Sequence, residues 1–405
     1  MEIWNNTKLF FLSLIFSTSS LCNPFEIIRD LDIGARASLK YDSNLFGVSD
    51  NVYRNALGSA PSNDEIVSPD DFVINFSPSL HFTKSISLLK LTGSAGVSLT
   101  RYIKNTDKSS IVPVTTLSLD FDDTLSLQKR LSNNAKIRFY ITFDLGQYVD
   151  TSILEQDLVS YTYFTTNFNV RYNHSAKFGL GGGTNLSIRD YQTGAVNKSY
   201  NDLKSIPLSL QAFYIYSEKL DLFTDYTTTL SISEDSSTNA ADSQSHSISV
   251  GLNGEYSSKL SGRISFGYSW IDYESTNLES SDNLISSVDL SWTHNSKTSS
   301  SFFINRQFSP SAQGSSTFNT NLGARVNHKL TDRFRGFANT NYSIVNYTFS
   351  NGDKSELDQI TLGAGVDYNW SDSIMIGSSY SFSFINNKDE KYDRHTLEIY
   401  ASGRF

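Results

Sequence analysis

The chain has 405 residues and a formal net charge of -9, with 19% charged, 38% hydrophobic and 13% aromatic side chains, 7 prolines and 1 cysteine. So few prolines exclude collagen-like and proline-rich chains, and 22 tyrosines with 27 phenylalanines argue against disorder. A mean hydropathy of -0.31 is poor for a bundle of membrane helices, and the acidic balance argues against a general nucleic-acid binder, which needs a basic surface.

At the start, Lys8 precedes an apolar run from Leu9 to Phe16, and small polar residues follow as far as Cys22. This is the layout of a secretory signal over residues 1–22, with cleavage after Cys22 or after Ser20. Lipidation of Cys22 is a second reading, although Leu21 is larger than that processing usually accepts. Under cleavage after Cys22 the mature chain has no cysteine, and so no disulfide and no thiolate site. Residues 23–32 are expected to form a short periplasmic segment ahead of the first strand.

From Ile33 to Phe405 apolar and polar residues alternate, as in Ile206, Leu208, Leu210, Ala212, Tyr214 and Tyr216 against Ser205, Pro207, Ser209, Gln211, Phe213 and Ile215. Period two predicts β-strands. Eighteen segments follow in order: 33–47, 72–82, 86–104, 112–128, 135–149, 158–173, 177–192, 200–217, 220–233, 245–257, 260–274, 283–295, 298–309, 316–328, 333–349, 356–370, 374–387 and 391–405. Soluble strands are most often about 5–6 residues long, whereas strands tilted about 45° need about 9–11 to cross a bilayer core. Connections also alternate. Thr83-Lys84-Ser85, Ser217-Glu218-Lys219, Ser257-Ser258-Lys259, Asn295-Ser296-Lys297 and Ser371-Asp372-Ser373 are short, while Gly47–Asp71, Asp150–Asp157, Glu234–Gln244, Glu274–Asp282 and Ser350–Lys354 are longer. The expected fold is therefore all-β: a closed antiparallel transmembrane β-barrel of about 18 strands over residues 33–405, with short periplasmic turns and long extracellular loops. A large soluble sandwich or a secreted β-helix would explain the alternation, but neither the strand length nor the loop asymmetry.

The chain ends in Leu397, Ile399, Ala401 and Phe405 at two-residue spacing, which resembles the carboxyl-terminal signature read by the barrel-insertion machinery; Gly403 departs from it. Tyr41-Asp42-Ser43-Asn44-Leu45-Phe46, followed by a strand opening Asp71-Phe72-Val73-Ile74 and continuing Ser77-Pro78-Ser79-Leu80, resembles the start of the β-barrel porin-2-like outer-membrane proteins. That group is similar to barrels associated with exopolysaccharide production. The resemblance implies a place in the bacterial cell outer membrane and a possible export role, and it carries over no catalytic residue. Its specific motifs cover about the first 80 residues.

If the apolar phase faces lipid, the opposite phase lines the lumen. It supplies Arg138, Arg171, Arg263, Arg325, Arg333 and Arg335 together with Asp225, Glu255, Asp289 and Asp367, most of them in the periplasmic half. These could form a charged constriction with a field across the pore, or ion pairs that fix strand register. Acidic residues gather in the loops: Asp64, Glu65, Asp70 and Asp71; Glu234, Asp235 and Asp242; Glu274, Glu279 and Asp282. They read as a solvated surface or as carboxylates holding divalent cations against lipopolysaccharide. Tyr214, Tyr216, Tyr226, Tyr268, Trp270, Tyr368 and Trp370 fit interfacial belts, and Tyr161, Tyr163 and Tyr191 on the other phase could stack on sugars or simply fill the wall. His81, His174, His246, His294, His328 and His395 lie in no metal-ligand spacing and are expected at strand ends or facing solvent; Gly181, Gly182 and Gly183 lie within a strand. No cofactor and no metal are expected. The expected partners are outer-membrane lipid and lipopolysaccharide, the insertion machinery and a polysaccharide, with no nucleic acid.

The leading expectation is a porin-like channel for small hydrophilic solutes or an exopolysaccharide. A plugged barrel with a structural or surface-binding role is the second, and a barrel hydrolase the third.

Overall fold

The computed structural model describes residues 31–49, 67–122, 136–152, 157–192, 200–234, 242–274, 280–310, 316–348, 354–387 and 390–405. Eighteen strands follow one another in the chain: β1 Leu31–Asp42, β2 Asp71–Ile86, β3 Leu89–Tyr102, β4 Ser110–Asp122, β5 Lys136–Ser152, β6 Asp157–Asn173, β7 Phe178–Tyr191, β8 Asp202–Ser217 and β9 Leu220–Glu234. The second half comprises β10 Ser243–Glu255, β11 Leu260–Tyr273, β12 Ser281–Thr293, β13 Thr298–Pro310, β14 Ser316–Lys329, β15 Phe334–Thr348, β16 Lys354–Asn369, β17 Ile374–Asn387 and β18 Glu390–Arg404. Each strand pairs antiparallel with its sequence neighbours, and β1 pairs with β18, so the sheet closes. Closure leaves no strand edge with unpaired backbone groups, which lipid would not tolerate.

A 14-residue strand such as β3 runs about 46 Å at about 3.3 Å per residue, and a tilt of about 45° brings this to about 33 Å, the thickness of the hydrocarbon core. The faces follow from the pairing. Opposite Ile248, Val250 and Leu252 of β10 stand Tyr268, Phe266 and Ile264 of β11, all on the outer phase, where Val250 is 61% and Phe266 60% exposed. Ser265 and Ser269, on the inner phase, are buried. The apolar side chains therefore turn outward and the small polar ones inward, the reverse of a soluble core. Tyr216 and Trp370 sit on the outer phase beside short turns, as interfacial rings should.

Several boundaries differ from the alternation. The barrel begins at Leu31, so Asp32 belongs to β1 and bonds Arg404 at 2.7 Å. The chain leaves β1 after Asp42 instead of continuing to residue 47. Thr83-Lys84-Ser85 is not a turn: β2 continues to Ile86, and the reversal is made at Ser87, with a φ of 56°, and Leu88. Residues 1–30 and the tail of the expected fourth strand, 123–128, lie outside the described residues.

The β1–β18 seam is stitched at three heights. Asp32–Arg404 lies at the short-turn end, Arg36–Glu398 follows at 2.9 Å, and Asp42–Arg394 lies at the long-loop end at 2.6 Å. Phe405 and Ile33 exchange two backbone hydrogen bonds of 2.8 Å, which places the expected insertion residue at the closing edge, 68% exposed.

Candidate functional site: the inner wall

Midway along the barrel the inner phase consists mainly of hydroxyls and amides that bond one another across strands. Asn75 donates to Ser98 and Thr100, Asn167 to Thr142 and Ser343 to Asn321, while the hydroxyls of Thr361 and Ser383 share a bond. Such a wall offers polar groups without net charge.

Toward the short turns the inner phase becomes charged. Arg138, Arg171, Arg263, Arg325 and Arg335 all lie within a few residues of a short-turn end, as do Asp289 and Asp367, and Asp225 stands slightly farther in. Arg171 Nη1 donates to Asp221 at 2.6 Å and its Nε to Asn173 at 2.9 Å; Arg138 reaches Asp120 at a long 3.5 Å. Arg263 stands directly opposite Asp289, with Asp225 also within electrostatic range. Arg335 stands opposite Asp367, but Asp367 accepts the hydroxyl of Tyr400. Two predicted residues lie at the rim instead. Arg333 is in the turn before β15, because the strand starts one residue later, and Glu255 ends β10, where Lys219 donates to it at 2.7 Å. Opposite signs interleave around the circumference, so the belt sets up no simple field from one side of the lumen to the other.

The arginines are held by rings. Arg263 lies 3.8 Å from the centroid of Phe223, Arg325 4.2 Å from Phe337, Arg36 4.1 Å from Tyr400 and Arg171 4.5 Å from Phe213. Phe223, Phe337 and Tyr400 each cover a glycine directly across the strand pair, Gly251, Gly365 and Gly377 respectively. The missing side chain makes room for a ring lying flat on the wall, and the flat ring makes a platform for a guanidinium. Gly262 has a φ of 152° and its partner Gly254 one of 138°; a Cβ at Gly262 would run into the carbonyl oxygen of Asp289. This close approach sets Arg263 against Asp289.

A cleft of about 420 Å³ opens on this wall among Asp120, Arg138, Tyr140, Asn169, Arg171, Ser209, Gln211, Phe213, Asn253 and Arg263. It gathers three of the predicted arginines. Asp120, Asp221, Arg36 and Glu398 were missed in the sequence, although all lie on the polar phase of their strands.

At the long-loop end the Tyr41–Phe46 motif does structural work. Asp42 is fully buried and takes both Nε and Nη2 of Arg394, at 2.9 and 2.6 Å, with Lys40 at 3.2 Å. Directly across from it, Asp71 is equally buried and accepts the backbone N–H groups of Ile103, Lys104 and Asn105 and the Asn105 amide, at 2.8 to 3.0 Å. Asp71 is thus no solvated loop acid. Between these anchors Leu45, Phe46 and Val48 are buried against Val73 and Tyr102 of the inner phase and Leu158 of β6. Asn44 ties the segment, accepting from Val48 N–H at 3.1 Å and donating to its carbonyl at 2.7 Å. The start of the long loop therefore folds onto the inner wall; residues 50–66 lie outside the described residues. Asp70 pairs with Lys104 at 2.7 Å and Asp242 accepts Ser233 N–H at 2.8 Å, whereas Asp64, Glu65, Asp235 and Glu279 lie outside the described residues. The bond from Lys104, with help from Ser68, holds the Asp70 carboxyl below the usual range and Lys104 above its own.

Tyr148, Tyr161 and Tyr191 stand side by side across β5, β6 and β7, with centroids 4.8 and 4.9 Å apart. Their faces are occupied by one another and, at 5.5 Å, by Arg189, which leaves no open face on Tyr161 for a sugar. Not all histidines end strands. His246 and His395 lie on the outer phase, bonded to Tyr226 and Tyr380 at 2.9 and 2.8 Å, and His81 bonds Ser79 at 2.8 Å on the inner phase. Among the described residues no group of three or more His, Cys, Asp or Glu could hold a metal ion.

Several solved structures align along most of the chain at low identity. OccK9 (OpdG) of Pseudomonas aeruginosa aligns with a TM-score of 0.46 at 11% identity, over 94% of this chain and 100% of that one. The outer membrane channel DcaP of Acinetobacter baumannii gives 0.40 at 13%, over 93% and 96%, and the siderophore receptor PirA of P. aeruginosa 0.40 at 9%, over 92% and 80%. No curated protein matches the sequence. Residues 209–405 match the sequence model of a family described as Putative beta-barrel porin 2. With a closed barrel, an apolar outer phase and this match, the chain is an outer-membrane β-barrel that is similar over residues 209–405 to the Putative beta-barrel porin 2 family.

Proposed function

We propose that the barrel is a passive channel for small hydrophilic solutes. The observation that carries this is the inner phase: hydroxyls and amides along the middle, and a charged belt near the periplasmic mouth. Such a surface favours water and polar solutes over a dry core. Small solutes are preferred to a polysaccharide because the tyrosines best placed to stack on sugars stack on one another. The family matched over residues 209–405 is described as Putative beta-barrel porin 2, which supports this reading, and the reading includes no chemical step.

The test is single-channel recording of the folded barrel in planar bilayers under a salt gradient. Discrete open steps are expected. Replacing Arg138, Arg263 and Arg335 together by glutamine leaves Asp120, Asp225, Asp289 and Asp367 uncompensated, so the reversal potential should move toward cation selectivity. An unchanged reversal potential would count against the belt. Silence from folded barrel would favour the second reading, a narrowed or plugged barrel with a surface role, which the inward fold of Leu45–Val48 supports.

A further inference from the structure

We infer that the inner-wall cleft around Arg263 is a binding subsite for a small hydroxylated monocarboxylate, an inference that rests on the channel reading above. Arg171 spends its donors on Asp221 and Asn173. Arg263 does not: stacked on Phe223, it makes no hydrogen bond or ion pair with any described residue, although it is only partly exposed. A guanidinium carries five N–H donors in one plane. The ring occupies one face of that plane and leaves the donor edge open, in the fork geometry that fits a carboxylate. The cleft lining presents three guanidinium groups and one carboxylate, Asp120, which is engaged with Arg138.

The charge of the ligand follows from what flanks the arginine. Asp289 directly opposite and Asp225 nearby would repel a second negative charge, which disfavours a phosphate dianion. The rest of the lining sets its other groups. Asn169, Gln211 and Asn253 each offer an acceptor and two donors, and none of the three makes a side-chain hydrogen bond with another described residue. Together with Ser209 and Tyr140 they suit hydroxyls carried beside a carboxylate. A volume of about 420 Å³ admits one such molecule and not a polymer.

Gluconate is the probe, with glucose as its uncharged counterpart and glucosamine as its cationic one. Gluconate is expected to interrupt the single-channel current at concentrations at least tenfold below those at which glucose or glucosamine does. Arg263→Gln should raise the half-blocking concentration of gluconate at least tenfold and leave that of glucose unchanged. Arg263→Lys, which keeps the charge but loses the fork, should fall between. If current steps persist but gluconate and glucose block equally, or if Arg263→Gln leaves gluconate block unchanged, the subsite is overturned while the channel stands. If no steps occur, titration calorimetry of gluconate into the folded barrel in detergent decides: heat that disappears in Arg263→Gln supports the subsite, and no heat overturns it.

Discussion

Phe46 is fully buried in the segment that follows β1, packed with Leu45, Val48, Val73, Tyr102 and Leu158. Truncating a buried phenylalanine to alanine typically costs about 3–5 kcal/mol, because the site collapses only partly. In Phe46→Ala the cost falls on the docking of residues 43–49, since the strand ladder closes without them. At about 1.4 kcal/mol per factor of ten, the docked population should fall relative to the undocked one by roughly two to three and a half orders of magnitude. Hydrogen exchange reads this directly. The N–H of Leu45 bonds Pro69 O at 2.6 Å, that of Val48 bonds Asn44 Oδ1 at 3.1 Å and that of Ser43 bonds His395 O at 2.9 Å. All three should exchange at least a hundredfold faster in the variant, with protection in β8–β17 unchanged. Equal exchange in variant and wild type would refute the inward docking; a loss of protection everywhere would refute its independence from the barrel.

Asp42→Asn leaves Arg394 and Lys40 without a buried carboxylate, and breaking a buried pair costs about 3–5 kcal/mol; the midpoint of denaturant unfolding should fall, and an unmoved midpoint would show the latch to be inert. Gly262→Ala forces the strand away from Asp289 and should shift channel selectivity in the same direction as Arg263→Gln, which reversal potentials would check. Because the Asp70 carboxyl is held below its usual value, the Asp70–Lys104 contact is present at neutral pH and is lost as pH falls through that lowered value. Proteolysis near residues 67–70 should therefore rise only in strong acid, and Lys104→Gln should move the onset to higher pH.

The strands were legible because lipid and lumen impose opposite demands on alternate residues, so each strand writes its own period. The loop entrance was not. Leu45 and Phe46 continue the apolar composition of β1, but adjacent residues on a strand point to opposite faces, and here the turn after Asp42 lets both bury. Asp42-Ser43-Asn44 carried that signal as turn-forming residues. At the wall, charge and phase identified Arg138, Arg171 and Arg263. Their rings and glycines could not be found, because Phe223 meets Gly251 only through a strand register that no local pattern encodes. The same limit applies to Asp42 and Asp71: 28 residues separate them around a long loop, yet they stand opposite each other, one paired with arginine and one held by backbone N–H groups.

Every strand interface except one pairs strands that are consecutive in the chain, so the segment between them limits their alignment. The β1–β18 seam joins the two ends of the barrel and has no turn to set it. A slip of one residue there would turn the faces inside out, but a slip of two would keep every face correct and pass unnoticed by hydrophobicity. Asp32–Arg404, Arg36–Glu398 and Asp42–Arg394 remove that degeneracy, since a two-residue slip separates all three at once. The salt bridges of the seam thus act as a checksum on assembly, confirming that the last strand has met the first in the one alignment that closes the ring.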